Sequence, residues 1–303
     1  MIILPWRVSG TRLRLPRDLQ VVYAVGRMGS VTIADTFQLW YGSPHTARVG
    51  FGRLVRLGLL RSFPRIDPLS PAWFTLTPKG LEWTAEQASC DESELRAFAG
   101  IRRINLPALS MRNRFWTSLV LACRRLPSVH LGSFRPEWEL RSLRSDSVPV
   151  VPDAVVTLVG AEATGERECA WALEADGGTE RSAVWKGKAS RYAELRTTGR
   201  LYGVADWRLL AIVPSPRRAR SVAVAVTAGG AGAFSFVGVA GRLDEGRAFD
   251  GALWPCLELA RLPALVPTAS LIDRFGKPIN EPDQRSRSTV DRVFPSETAR
   301  ISP

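Results

Sequence analysis

The sequence predicts a mixed α/β (α+β) protein in two parts: a small helical segment closed by a β-hairpin, then a larger α/β sandwich. Two observations carry this. Between residues 17 and 85, three short stretches with apolar residues at helical spacing precede two extended stretches around a Pro-rich tip. From residue 105 onward the pattern becomes helix, strand, strand, strand, helix, strand, which predicts a sheet covered on both faces. With 303 residues and an apolar fraction of 45%, the chain can bury two cores.

Charge narrows the function classes. Forty-one Lys and Arg face 29 Asp and Glu, a net charge of +12. Such an excess attracts polyanions, with nucleic acid or an anionic membrane the usual candidates. Nearly all the cations are Arg, which suits forked contacts with phosphates and base edges, although a GC-rich genome also enriches Arg. No apolar run approaches the roughly 20 residues needed to span a bilayer, and the start (Met1 to Arg7) is too short for a signal peptide. The cysteines at 90, 123, 169 and 256 lack CxxC spacing, and the only histidines are His45 and His130. A zinc enzyme or disulfide scaffold is therefore not expected, and the expected location is the cytoplasm.

Residues 1–16 read as a basic lead-in arm. Asp18 can cap a first helix carrying Leu19, Val22, Tyr23 and Val25. Gly29-Ser30 ends it, and Val31–Tyr41 gives a second. Gly42-Ser43-Pro44 makes a turn with Ser43 as N-cap and Pro44 at the first helical position. The third helix, about His45–Leu57, is expected to bury Val49, Leu54 and Leu57 and to present His45, Thr46, Arg48, Arg53 and Arg56. Gly58-Leu59-Leu60 then opens an extended piece around Arg61–Ile66. After the Pro-rich tip, Trp73-Phe74-Thr75-Leu76 is a second strand, and Thr77-Pro78-Lys79-Gly80 starts another helix. Three helices followed by a hairpin is winged helix-turn-helix order, and these segments resemble bacterial winged-helix proteins. That resemblance implies double-stranded DNA as partner, with the third helix in the major groove and Lys79 among the DNA-facing cations. Residues 1–85 hold eleven Lys/Arg and four Asp/Glu, a local +7 that suits this role. The alternative is a winged helix used only for protein contacts or homodimerisation. Residues 86–104 read as a charged connecting helix.

Residues 105–265 form the expected second domain, and 266–303 a disordered tail. Leu106–Arg125 reads as a helix, Val129–Leu143 as extended, and Val148–Leu158 as a strand. Gly160–Arg167 reads as a turn, Glu168–Asp176 as a strand, Ser182–Thr197 as a helix and Trp207–Val213 as a buried strand. Pro214–Arg220 reads as a basic turn, Phe234–Val239 as a strand, and Leu253–Leu265 as a short apolar stretch.

The candidate chemistry is Pro152-Asp153 on one strand, Glu174-x-Asp176 on the next, and lysines on the following helix. Carboxylates at adjacent strand ends supply the hard oxygens that Mg²⁺ (or Mn²⁺) prefers, and a Lys can neutralise charge developing on a phosphate. The pattern resembles the PD-(D/E)xK nuclease superfamily, the restriction-endonuclease-like fold. The resemblance implies Asp153, Glu174 and Asp176 as metal ligands, with Glu139 on the preceding strand as an accessory acid. Asp176 stands where the motif has its lysine, so Lys188 or Lys186 would supply that role. Across about residues 17–225, the winged helix together with Pro152-Asp153, Glu174 to Glu180 and Lys188 to Tyr192 resembles the replication-relaxation family. That family implies DNA binding with an endonuclease-like core in plasmid or mobile-element replication, relaxation or transfer.

Plainer readings exist for each residue. Asp153 can cap a turn, Glu174 and Asp176 can form an ion network with Arg191 or Lys188, and Asp176 to Thr179 can be an ordinary turn. Trp185 and Tyr192 suit a core, and His130 a packed or surface position. Three functions follow: a Mg²⁺-dependent endonuclease or nickase, a non-catalytic DNA-binding regulator keeping the nuclease fold as a scaffold, and an adaptor for a relaxase or replication complex.

Overall fold

The computed structural model describes residues 7–8, 11–12, 17–63, 71–96, 106–125, 129–143, 150–162, 165–242 and 253–256. The chain divides into two compact units, Met1–Thr117 and Ser118–Pro303. Together they are a mixed α+β protein, as the sequence predicts.

In unit 1, β1 (Arg7–Val8) and β2 (Thr11–Arg12) form an antiparallel pair within the basic arm. There follow α1 (Arg17–Met28), β3 (Val31–Thr32), α2 (Ile33–Trp40), α3 (Pro44–Arg56), β4 (Leu60–Phe63), β5 (Trp73–Leu76) and α4 (Pro78–Ala88). The three longer-range strands pair antiparallel in the order β3-β5-β4. Asp18, expected to cap the first helix, lies inside the first turn of α1 and pairs with Arg53 instead. The helix expected from Val31 starts at Ile33, after a two-residue strand. The starts of α2, α3 and α4 have local causes. Thr32 and Asp35 cap α2 reciprocally, Ser43 and Thr46 do the same for α3 above Pro44, and Thr77 caps α4 ahead of Pro78. Gly58, at φ +73°, makes the left-handed turn from α3 into β4.

The inward face of α3 is Ala47, Gly50, Phe51 and Leu54, and the Phe51 ring meets Phe74 edge-on at 4.9 Å. Val49 and Leu57, expected to be buried, are 56% and 50% exposed. The buried stripe keeps the three-to-four spacing through small residues, so Val49 falls on the opposite face. Where a connecting helix was expected over 86–104, α4 ends at Ala88 and, among the described residues up to Arg96, a 3₁₀ turn covers Glu92–Glu94. Ser89 in the left-handed conformation closes α4, and Asp91 caps the new turn. Residues 97–105 lie outside the described residues.

Helix α5 (Leu106–Arg125) has the predicted bounds, but its first half belongs to unit 1. Asn113 Nδ2 donates to the Ser30 carbonyl at 2.7 Å, and Thr117 Oγ1 to the Asp35 carbonyl at 2.6 Å. The hydroxyl of Ser110 donates to the Asp35 carboxylate at 2.8 Å.

Unit 2 contains β6 (Val129–Pro136), α6 (Glu137–Ser142), β7 (Ala154–Glu162), β8 (Gly165–Ala175), α7 (Ser182–Thr198), β9 (Trp207–Val213), α8 (Pro216–Ala228), β10 (Ser235–Val239) and β11 (Leu253–Pro255). The six strands lie in the order β11-β10-β9-β8-β7-β6. Strands β6, β7 and β8 pair antiparallel, β8, β9 and β10 parallel, and β11 antiparallel to β10. A register shift between Leu131 and Ser133 leaves Gly132 in a bulge of β6. Both faces of the central strands are buried. Ala170, Ala172, Leu209, Ala211 and Val237 pack with Trp185, Ala189 and Tyr192 of α7 and Val222 and Val226 of α8. On the other side Leu173, Leu210 and Ile212 are fully buried. The two helices approach closely at Gly229, where a Cβ would sit 2.6 Å from Ala189 Cβ.

Several segments of unit 2 differ from the sequence expectation. The extended reading of 129–143 holds only to Pro136, which lacks a donor to continue the ladder; α6 then forms, carrying a Glu137–Arg141 pair at spacing i,i+4. The strand expected from Val148 starts at Ala154. Gly160–Arg167, expected as a turn, lies mostly in the ladder, since Gly160 pairs with Arg167. The basic turn at 214–220 is the start of α8, capped by Ser215 with Pro216 in the first turn. Leu253–Pro255 is a strand, and residues 257–303, including the expected tail, lie outside the described residues.

In unit 1, α4 packs so closely on the α3–β4 turn that a Cβ at Gly80 would run into the Leu59 carbonyl oxygen. Gly80→Ala should cost roughly 1–3 kcal/mol of stability. Denaturant melts of wild type and variant measure it, and equal midpoints would contradict this packing.

Candidate functional site

The parallel strands of unit 2 end beside the first turns of α7 and α8, the edge at which open α/β sheets gather functional side chains. Glu174, at the end of β8, is 3% exposed. Its Oε1 accepts the Tyr192 hydroxyl at 2.6 Å, and its Oε2 accepts Lys188 Nζ at 2.9 Å. Lys188 also donates to Glu180 Oε1 at 2.7 Å, so one ammonium bridges two carboxylates. Asp153 precedes β7. Its Oδ2 accepts the Ala175 N–H at 2.7 Å, and its main-chain carbonyl accepts the Glu137 N–H at 2.9 Å.

Two residues beyond Glu174, Asp176 is 2% exposed and differently committed. Its Oδ1 accepts the Gly178 N–H at 2.7 Å, closing a turn in which Gly178 has φ +89°. Its Oδ2 accepts Trp185 Nε1 at 2.9 Å and Arg218 Nε at 2.7 Å, with Arg218 Nη2 at 2.5 Å. Arg218 Nη2 also donates to the Glu180 carbonyl. The sequence suggested Arg191 or Lys188 as partners for an ion network. Lys188 takes that part for Glu174, and Arg218 takes it for Asp176. Arg218 was missed because its segment read as a turn; the Ser215-Pro216 helix start was the available signal.

Burial pushes the Glu174 carboxyl up to about 7, the Asp153 charge adds to the rise, and Lys188 and Tyr192 only partly offset it. For Lys188, burial pulls the ammonium down, but Glu174 and Glu180 outweigh it and hold the group above its ordinary range. Burial and then the Glu174 charge push Tyr192 well up, so its phenol stays a donor.

Asp153, Glu174 and Lys188 thus come together. Lys186 is exposed on α7 and, two residues from Lys188, faces another way. Glu139 lies on α6 rather than on a strand and pairs with Arg135 at 3.9 Å. Both oxygens of Asp176 and both of Glu174 already accept strong donors, two of them cationic. Among the described residues, no three His, Cys, Asp or Glu side chains are placed to hold a metal ion. This donor set, as arranged, does not fit a Mg²⁺ or Mn²⁺ ion, which needs several free hard oxygens. The cluster can hold a proton near neutral pH and tie β8 to α7.

The second candidate surface is the outer face of α3. His45, Arg48 and Arg56 are exposed there. Thr46 is spent on the capping box with Ser43, and Arg53 is paired with Asp18 of α1. Lys79 Nζ donates to the Leu57 carbonyl at 3.1 Å, at the carbonyl end of α3.

The profile of the family described as Replication-relaxation matches residues 19–205, more than half of the chain. The chain belongs to the replication-relaxation family. Membership suggests a role in plasmid or mobile-element replication or relaxation. The matched span takes in both α3 and the Glu174 cluster. No curated protein and no solved structure matches this replication-relaxation protein. Among its described residues, no helix is long and apolar enough to cross a membrane.

Two outcomes follow from the cluster. Arg218→Ala leaves the Asp176 charge buried with its cationic partner gone, and should destabilise unit 2 by about 3–5 kcal/mol; a denaturant midpoint unchanged from wild type would contradict the pairing. Glu174 titrates higher folded than its ordinary 4.5, so its contribution to stability is full below about pH 4.5 and is lost as pH rises through about 7. Melting temperatures measured across that window should fall more steeply for wild type than for Glu174→Gln.

Proposed function

We propose that this protein binds double-stranded DNA through unit 1, acting as a winged helix-turn-helix that lays α3 in the major groove. Unit 2 is in this reading a restriction-endonuclease-like fold kept as a scaffold. The observation that carries the proposal is the outer face of α3, where His45, Arg48 and Arg56 are exposed on a helix fixed by its capping box and by a packed inner face. Arg at such positions reaches guanine acceptors or phosphates. The local excess of cations over acids in residues 1–85 favours the same partner. The scaffold reading of unit 2 is supported by Lys188 and Arg218, whose charges already occupy the carboxylates that a divalent ion would need.

The test is duplex binding across a salt series. Wild type should bind, with affinity falling steeply as salt rises. Arg48→Ala/Arg56→Ala should weaken binding by at least about tenfold and shrink the salt slope by about two. Absence of binding, or a double variant indistinguishable from wild type, contradicts DNA recognition by α3. Supercoiled plasmid incubated with the protein and Mg²⁺ or Mn²⁺ should stay supercoiled. Nicking that disappears in Glu174→Gln would overturn the scaffold reading.

A further inference from the structure

Each step along an α-helix turns the side chain by about 100°. The buried residues of α3, Ala47, Gly50, Phe51 and Leu54, define one side of the helix. The stripe directly opposite is His45, Val49, Gly52 and Arg56, spaced four, three and four apart, with Arg48 on one flank and Arg53 on the other. Two members of that stripe are not what a solvated basic helix needs. Val49 carries a branched apolar side chain at 56% exposure. Gly52 places the poorest helix former after proline in the helix interior.

The other helical glycines of unit 1 have a packing reason. A Cβ at Gly26 would meet Leu76 Cδ1 at 2.8 Å, one at Gly50 would run into the Tyr41 ring, and one at Gly80 into the Leu59 carbonyl. At Gly52 the nearest atom is Arg56 Nη1 at 3.8 Å, a flexible tip. The fold therefore leaves room for a side chain that the sequence omits. A bare position at the pole of an exposed helix lets another molecule approach the backbone closely, and the neighbouring arginines say that this molecule is a polyanion.

We propose that Val49 is a specificity-determining residue that packs against the 5-methyl group of thymine in the major groove, and that Gly52 is the bare position that lets α3 sit deep enough for that contact. This rests on the reading of α3 as the DNA-binding helix. The thymine methyl is the apolar feature of the major-groove edge, so it is the group that an exposed valine can recognise there. His45 and Arg56 lie along the same stripe, at its two ends, where donors to neighbouring bases or phosphates are needed.

The test uses the full chain and two pools of duplexes of randomised sequence, each about two helical turns long. One pool contains thymine; the other has uracil at every thymine position and so lacks only the methyl groups. Wild type should bind the thymine pool about fourfold more tightly, the factor expected from burying one methyl-sized group. Val49→Ala should bind the two pools nearly alike. Gly52→Leu should melt at a higher temperature than wild type, because a helix former replaces glycine where only the flexible Arg56 tip lies near, yet bind both pools at least about tenfold more weakly. A glycine with no part in recognition would give the first effect without the second. Equal binding of both pools by wild type, a thymine preference that survives in Val49→Ala, or undiminished binding by Gly52→Leu overturns the inference while duplex binding through α3 stands. If wild type binds neither pool, the DNA-binding reading falls and this inference falls with it.

Discussion

A carboxylate almost out of reach of water has to be answered by several donors at once, and Asp176 is the point where this constraint organises unit 2. Its donors come from three places: the turn at Gly178, the indole of Trp185 on α7, and the guanidinium of Arg218 on α8. One side chain at the end of β8 therefore fixes the starts of both helices that cover the parallel strands. Burying the pair is costly in itself, and its merit lies in geometry more than in net stability. With α7 pinned at Trp185, Lys188 and Tyr192 arrive one turn and two turns later on the Glu174 carboxylate. The Glu174 cluster is in that sense a consequence of the Asp176 knot.

The two units use positive charge in opposite ways. In unit 2, Lys188 and Arg218 are turned inward and spent on carboxylates, where bulk salt screens them little. In unit 1, Arg48 and Arg56 stay in water, held out by a helix whose other side is packed around Phe51. Charges of the first kind shape the fold, while charges of the second kind are available to a partner and respond to ionic strength.

Much of this was legible in the sequence where the signal is local. Trp207–Val213 is an apolar run interrupted only by Arg208 and closed by Pro214, and β9 has those bounds. Ser43 followed by Pro44 announces the start of α3, and α5 has the Leu106–Arg125 bounds that the sequence predicts. Errors arose where composition masked period. The arginines at 217, 218 and 220 suggested a turn and hid the Ala219, Val222, Ala223, Val226 stripe of α8. Counting Val49 as core because it is apolar overlooked that Ala47 and Gly50 hold the inner positions. The site was half legible. Glu174 and Lys188 follow from a strand feeding a helix, but the partner of Asp176 lies 42 residues further on, across a crossover whose packing no local pattern encodes.

Strand β6 lies at one end of the six-stranded order, and an outermost strand shows a row of unsatisfied backbone groups to any extended chain that drifts past. Here that row is broken twice. The bulge at Gly132 adds an unmatched residue and twists the strand locally, and Pro136 at its end has no N–H to offer. A Cβ at position 132 would press on Val159 Cγ2 at 3.1 Å, so the bulge has little room for a larger residue. Resistance to strand-to-strand aggregation is thus written into two residues that contribute nothing to the buried acids or to the basic helix.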